Sequence, residues 1–180
     1  MNRHEAQRML ENAELVCPAD EVRIAVARLG QEITARLKDE FPLVLSVMGG
    51  AVVFTGQVLP LLRFPMEFGA IEATRYENGT EGKSIAWRLA PRDNVKGRAV
   101  LVVDDILDQG ITLAAIKERL LEMGAKHVYT AVFCEKVLEA KKPIRADFVG
   151  VEVPNRYVFG FGMDAYGLWR NLPAVYALKE

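Results

Sequence analysis

The sequence is short of several things. It has two cysteines, Cys17 and Cys134, far apart along the chain and each in an apolar or mixed stretch. A metal or redox pair needs closer spacing or histidine companions, so both are expected as reduced structural thiols. It has no excess of either charge: 23 Lys and Arg face 24 Asp and Glu, a net charge of −1. No general electrostatic attraction to nucleic acid or to an anionic membrane follows from that balance. No apolar run approaches the roughly 20 residues needed to span a bilayer. The first residues, Met1-Asn-Arg-His-Glu-Ala-Gln-Arg8, lack the apolar region of a signal peptide. There are no internal repeats and no low-complexity segments. These absences lead us to expect a cytoplasmic protein with no membrane and no nucleic-acid partner. What remains is the composition of one ordinary globular domain. The 180 residues are 51% hydrophobic and 26% charged, enough for a real core.

The pattern along the chain is α/β. From Asp20 to Phe41, the residues Val22, Ala25, Val26, Leu29, Ile33 and Leu37 recur at spacings of three and four, one apolar face of a helix. Asp20 is its expected N-cap, and Pro18 stops any earlier helix. A weaker helix is expected over His4 to Val16. Leu43 to Met48 is short, apolar and β-branched, as a buried strand is. Gly49-Gly50 ends it, and Ala51 to Leu62 resumes a helical pattern. Pro65 to Thr74 reads as a strand, Arg75 to Ser84 as a polar, Gly-rich mobile loop, and Ser84 to Leu89 as the returning strand. Arg98 to Asp104 is a strand, and Leu113 to Met123 a helix ended by Gly124. His127 to Phe133 and Asp147 to Val151 are further strands. This alternation implies a Rossmann-like parallel sheet flanked by helices, with right-handed crossovers. The core is expected over about 20–134. A small C-terminal hood is expected over 135–180, with help from the N-terminus.

The richest stretch is Val100-Leu-Val-Val-Asp-Asp-Ile-Leu-Asp-Gln-Gly-Ile-Thr-Leu113. It reads as a buried strand ending in two carboxylates, then a loop with a third acid, a Gly and a Thr, then a helix. Ligands of an open parallel sheet bind at the carboxyl ends of its strands. Carboxylates accept from ribose hydroxyls and hold Mg²⁺ directly or through water. Backbone N–H groups at a helix start suit an anion, and Gly110 lets the backbone come close. A phosphorylated ribose has both features. Period-2 alternation would send Asp104 and Asp105 to opposite faces. The loop has no Lys, so it is not the phosphate loop of nucleotide triphosphatases. The bland alternative is a solvated acidic turn with Asp108 capping the helix.

This stretch resembles the phosphoribosyl-pyrophosphate motif of type I phosphoribosyltransferases, with Gln109 where that family often has Thr or Ser. Two C-terminal blocks, Ala146-Asp-Phe-Val-Gly-Val-Glu152 and Val153-Pro-Asn-Arg-Tyr-Val-Phe-Gly-Phe-Gly-Met-Asp-Ala-Tyr-Gly-Leu-Trp-Arg-Asn-Leu-Pro173, are similar to the end of hypoxanthine-guanine phosphoribosyltransferases. The likeness runs from about Asp20 to Leu178. It implies the type I phosphoribosyltransferase fold and a homodimer or homotetramer. It also implies transfer of 5-phosphoribosyl from phosphoribosyl pyrophosphate to hypoxanthine or guanine, with Mg²⁺ as cofactor.

The resemblance also implies roles. Asp104, Asp105, Asp108, Gln109, Gly110, Ile111 and Thr112 would hold the ribose and its 5′-phosphate. Lys136 would donate to the purine 6-oxo group, Tyr157 would stack on the base, and the backbone of Val158 would pair with its edge. Asp164 would contact the purine by its carbonyl and join Asp104 and Asp105 at Mg²⁺. Met48, Gly49, Gly50 and Arg170 would hold pyrophosphate, with Met48 standing where relatives often have Lys. A cis peptide is expected at Val47–Met48. Arg75 and Tyr76 match the lid, Arg75 replacing a frequent Ser. Asp108 would be the catalytic base for purine N7. Two other readings stay open. One is a regulatory protein of the same fold that binds phosphoribosyl pyrophosphate. The other is a transferase that prefers xanthine, which shares the 6-oxo group.

Overall fold

The computed structural model describes residues 1–75 and 85–179. Its frame is a six-stranded sheet built from β2 (Leu43–Val47), β3 (Glu67–Arg75), β4 (Ile85–Leu89), β5 (Ala99–Leu107), β6 (His127–Lys136) and β7 (Phe148–Val153). The strand order is β4-β3-β2-β5-β6-β7. All neighbours are parallel except the β3–β4 hairpin at one edge. All five residues of β2 are buried, as a strand covered on both faces requires. A second sheet of three strands, in the order β1-β9-β8, is made by β1 (Glu14–Cys17), β8 (Val158–Phe159) and β9 (Val175–Ala177).

Helices cover both faces of the large sheet. On one face α2 (Ala19–Leu37) and α3 (Val52–Val58) share a core with Leu101, Val103, Phe133 and Phe161. Every apolar residue expected on the α2 face is buried. On the other face α4 (Ile111–Glu122) buries Leu113, Ile116 and Leu120 against Val100, Val102 and Val132. No described helix is long and apolar enough to cross a membrane.

Several sequence expectations are corrected. The N-terminal helix α1 (Arg3–Glu11) closes before Val16, because Glu14–Cys17 pairs with β9 instead. Asn2 and Glu5 form a reciprocal cap at its start. Asp20 does not cap α2. Pro18 holds that position, and Asp20 lies in the first turn, paired with Arg23. The helix stops at Leu37 rather than Phe41. Phe41 precedes Pro42, which disfavours helical backbone, and its φ is 45°. The expected boundary after residue 134 falls inside β6, and β7 also belongs to the large sheet. The smaller sheet thus recruits its strands from both ends of the chain.

Candidate functional site

β5 carries the first surprise. It does not end at Asp104, because parallel pairing with β6 continues to Leu107 opposite Glu135. The acid pair therefore lies inside the strand. Side-chain alternation breaks across the pair. Leu101 and Val103 pack toward α2 and α3, and so does Ile106, whereas Leu107 joins Val100 and Val102 on the α4 side. Strict alternation predicted separated carboxylates, but the two side chains interact directly. Burial pushes the Asp104 carboxyl well above the usual range, and the neighbouring Asp105 charge adds to it. Burial also raises Asp105. Hydrogen bonds from Asp104 and from the Ile106 N–H, with the nearby Arg170 charge, oppose that rise.

Asp105 is fitted closely to the turn after β2. A Cβ on Gly50 would lie 1.8 Å from Asp105 Oδ2. The carbonyl of Gly50 in turn fills the space where a Cβ on Gly162 would sit, at 2.1 Å. Two glycines therefore let the strand acids, the turn and the C-terminal segment close on one another. The cis peptide is Met48–Gly49, not Val47–Met48. Met48 Sδ brings no charge to this turn, and its backbone N–H donates to Ile71 O at 2.7 Å.

Arg170 completes this side. It donates to Gly162 O at 2.7 Å and pairs with Asp164 Oδ1 at 2.6 Å. The other carboxylate oxygen of Asp164 accepts from the Gly167 N–H at 2.7 Å. Asp164 is thus already engaged. Among the described residues, no group of three or more His, Cys, Asp or Glu is placed to hold a metal. The expected trio of Asp104, Asp105 and Asp164 is not gathered into one protein cage.

The loop after β5 runs through Asp108, Gln109 and Gly110 into α4. Gly110 is the N-cap, with φ 79°, and no side chain caps the helix. Asp108 is therefore not the cap that the bland reading required. Its Oδ2 lies 2.9 Å from Lys136 Nζ, at the end of β6. Gln109 and Ile111 are exposed beside it, and Thr112 is half-buried in the first turn of α4.

Tyr157 and Val158 stand at the far side of the small sheet. Among the described residues β8 pairs with β9, at the edge of the small sheet, and Val158 is buried. Tyr157 is 48% exposed, and its ring stacks on Tyr166 with centroids 5.9 Å apart and planes 10° from parallel. Tyr166 has φ 54° and Gly167 φ 82°, at the tip of a tight turn bridged by Ala165 and Leu168. Sequence reading missed Tyr166, because Tyr is not among the residues that mark a turn of positive φ. It also missed Lys142, whose ammonium reaches three acceptors at the ends of β5 and β6. A lone Lys in a polar segment gives no signal. Arg75 closes β3, and Tyr76 lies outside the described residues.

The chain thus offers an interacting acid pair, a helix start without a side-chain cap and a Lys–Asp pair around the ends of β5 and β6, and an exposed aromatic face at Tyr157. Comparisons with known proteins concern the chain as a whole. The phosphoribosyl transferase domain family matches residues 18–166. The hypoxanthine-guanine phosphoribosyltransferase of Bacillus subtilis (strain 168) is 32% identical over 180 residues, covering 99% of this chain and 97% of that one. The hypoxanthine-guanine-xanthine phosphoribosyltransferase of Tritrichomonas foetus is 30% identical, covering 89% and 88%. A solved hypoxanthine-guanine-xanthine phosphoribosyltransferase superposes with a TM-score of 0.84 at 30% identity, covering 94% of this chain and 99% of its own.

Proposed function

The chain belongs to the phosphoribosyl transferase family, and on that premise we propose that it moves 5-phosphoribosyl from phosphoribosyl pyrophosphate to the 6-oxopurines hypoxanthine and guanine, a purine salvage reaction. The observation that carries the base assignment is the Lys136–Asp108 pair. It presents a donor and an acceptor 2.9 Å apart. A 6-oxopurine protonated on N7 presents an acceptor and a donor side by side on one edge. The two edges are complementary. Adenine has an amino group where the oxo group would be, so it would face the Lys136 ammonium with another donor.

The remaining residues take roles consistent with that reading. Tyr157 stacks on the base face, a contact that contributes roughly 1–3 kcal/mol per base in other proteins. The edge strand β8 carries the backbone groups of Val158. Asp104 and Asp105 orient the ribose. The first turn of α4, with Gln109, Gly110, Ile111 and Thr112, receives the 5′-phosphate. Gly49, Gly50 and Arg170 receive pyrophosphate, with Met48 contributing backbone only.

Mg²⁺ suits this donor set in one way. It is ordinarily bound by one or two carboxylates together with substrate phosphates rather than by a protein cage. Asp104 and Asp105 are such a pair, and Asp164 is the third candidate ligand. Mg²⁺ would neutralise the pyrophosphate leaving group. Asp108 takes the N7 proton as another ring nitrogen forms the bond to C1′ and the bond from C1′ to pyrophosphate breaks. The pair of acids helps stabilise the positive charge that develops on the ribose. Residues Arg75 and Tyr76 are assigned to a lid that excludes water.

The test is to incubate the protein with phosphoribosyl pyrophosphate, Mg²⁺ and each of hypoxanthine, guanine, xanthine and adenine in turn. Nucleotide should form with hypoxanthine, guanine or both, and far more slowly with adenine. A chain that binds phosphoribosyl pyrophosphate and makes no nucleotide would be a regulatory protein instead. Xanthine alone as substrate would transfer the assignment to that base.

A further inference from the structure

Lys142 lies outside every role assigned above, yet it has the most constrained ammonium in the region. Its Nζ donates to Leu107 O at 3.2 Å, to Glu135 Oε1 at 3.0 Å and to Lys136 O at 2.6 Å. An ammonium has three donors, and all three are used. Its side chain is 10% exposed. The acceptors belong to the ends of two neighbouring strands. Leu107 immediately precedes Asp108, and the Lys136 carbonyl belongs to the residue that faces Asp108. Lys142 thus ties the Lys136 carbonyl to the carbonyl of Leu107, the residue just before Asp108. The same segment also touches the phosphate loop. A Cβ on Gly110 would meet Ile144 at 3.0 Å and Lys142 Cβ at 3.6 Å.

We infer that Lys142 is a positioning residue for base recognition: it fixes the spacing of Lys136 and Asp108, and so sets the discrimination between 6-oxo and 6-amino purines. This rests on the proposed transferase reading. The charges support a local role. Around the two strand ends the groups alternate as Lys142, Glu135, Lys136 and Asp108, each cation beside an anion. Replacing Lys142 by Met keeps the stem but leaves two carbonyls and the Glu135 carboxylate without their donor. The strand ends are then free to part, and an edge built for a 6-oxopurine loses its fixed spacing.

The experiment measures kcat and KM for hypoxanthine, adenine and phosphoribosyl pyrophosphate in wild type, Lys142→Met, Lys136→Met and the double variant. In Lys142→Met the KM for hypoxanthine should rise about tenfold or more, the scale of losing a charge-assisted hydrogen bond. The hypoxanthine-to-adenine ratio of kcat/KM should narrow by a similar factor. The KM for phosphoribosyl pyrophosphate should stay within about twofold, since no contact to it is removed. In the Lys136→Met background, Lys142→Met should leave that ratio unchanged, because residues acting through one another are not additive. A ratio unchanged by Lys142→Met alone overturns the inference, as does an equal rise in both KM values. Should Lys142→Met fail to fold, Glu135→Gln replaces it. That variant weakens one of the three bonds, and the ratio must narrow in the same direction, or the inference fails. A wild-type chain inactive with every oxopurine overturns the transferase reading itself, and this inference with it. Activity in the wild type with no change in the variants overturns this inference alone.

Discussion

Lys136 Nζ and Asp108 Oδ2 stand 2.9 Å apart, the first at the end of β6 and the second just past the end of β5. Neither strand alone makes the pair. It exists because β5 and β6 run parallel and in register, with Leu107 opposite Glu135. The Lys136 side chain is 13% exposed and that of Asp108 is 49% exposed. The carboxylate is therefore the accessible partner, placed to meet a ligand while the ammonium is held behind it. In the free protein each satisfies the other, and a bound 6-oxopurine would satisfy both at once.

Asp108→Ala should lower turnover by about 10²–10⁴-fold, the usual contribution of a general base. Asp108→Asn should lose as much, yet it keeps an oxygen acceptor for Lys136 and so should melt close to wild type. Steady-state kinetics and thermal unfolding of the two variants check this. Near-normal turnover in either would remove Asp108 from the chemistry.

Gly50→Ala should be destabilising by about 1–3 kcal/mol, the range for overpacking a tight site. The added methyl would collide with the Asp105 carboxylate, since its Cβ would sit 1.8 Å from Oδ2. Relief requires moving Asp105, so transfer should be lost in the fraction that still folds. Gly49→Ala is the control for bulk, because a Cβ there meets nothing within 4 Å. Denaturant unfolding and activity of both variants give the comparison.

The acid pair should make stability depend on pH. Burial raises both carboxyl groups, Asp104 the more strongly because the Asp105 charge adds to it. A carboxyl raised in the folded state binds protons there more readily than in the unfolded chain. Its stabilising contribution is complete below the ordinary aspartate value of 3.8 and is lost as pH rises through the folded-state value. Asp104→Asn mimics the protonated form. It should therefore be more stable than wild type at neutral pH, with the gap closing in acid, while its activity falls. A gap that does not change with pH would contradict the assignment. Unfolding curves of both proteins across pH are the measurement.

Much of this fold is legible from local patterns. The α2 face, the buried β2 run and the β3–β4 return follow from periodicity and chain punctuation, which depend only on neighbours in sequence. The strand β1 is different. Glu14–Cys17 is a strand because Val175–Ala177, at the other end of the chain, lies beside it. Nothing near residue 14 carries that information. The break in alternation between Val103 and Ile106 is similar, since it depends on which helix each side chain meets. In the site, acids and loop glycines stand out because their spacing is unusual. Lys142 does not, because its meaning comes from three acceptors brought together by the fold. Gly162 reads as an ordinary turn residue, and the closeness of Gly50 to Asp105 is not visible, until the contacts of the two glycines are seen.

The most direct test of the central claim is competition by two base analogues against hypoxanthine, in the presence of phosphoribosyl pyrophosphate and Mg²⁺. In 9-deazahypoxanthine a carbon replaces N9, while the 6-oxo group and the N7–H are kept. In 7-deazahypoxanthine a carbon replaces N7, so Asp108 has no proton to accept. If Lys136 and Asp108 read that edge together, the 7-deaza compound should bind at least about tenfold more weakly than the 9-deaza compound, the scale of one charge-assisted hydrogen bond. Equal inhibition constants for the two would contradict the account.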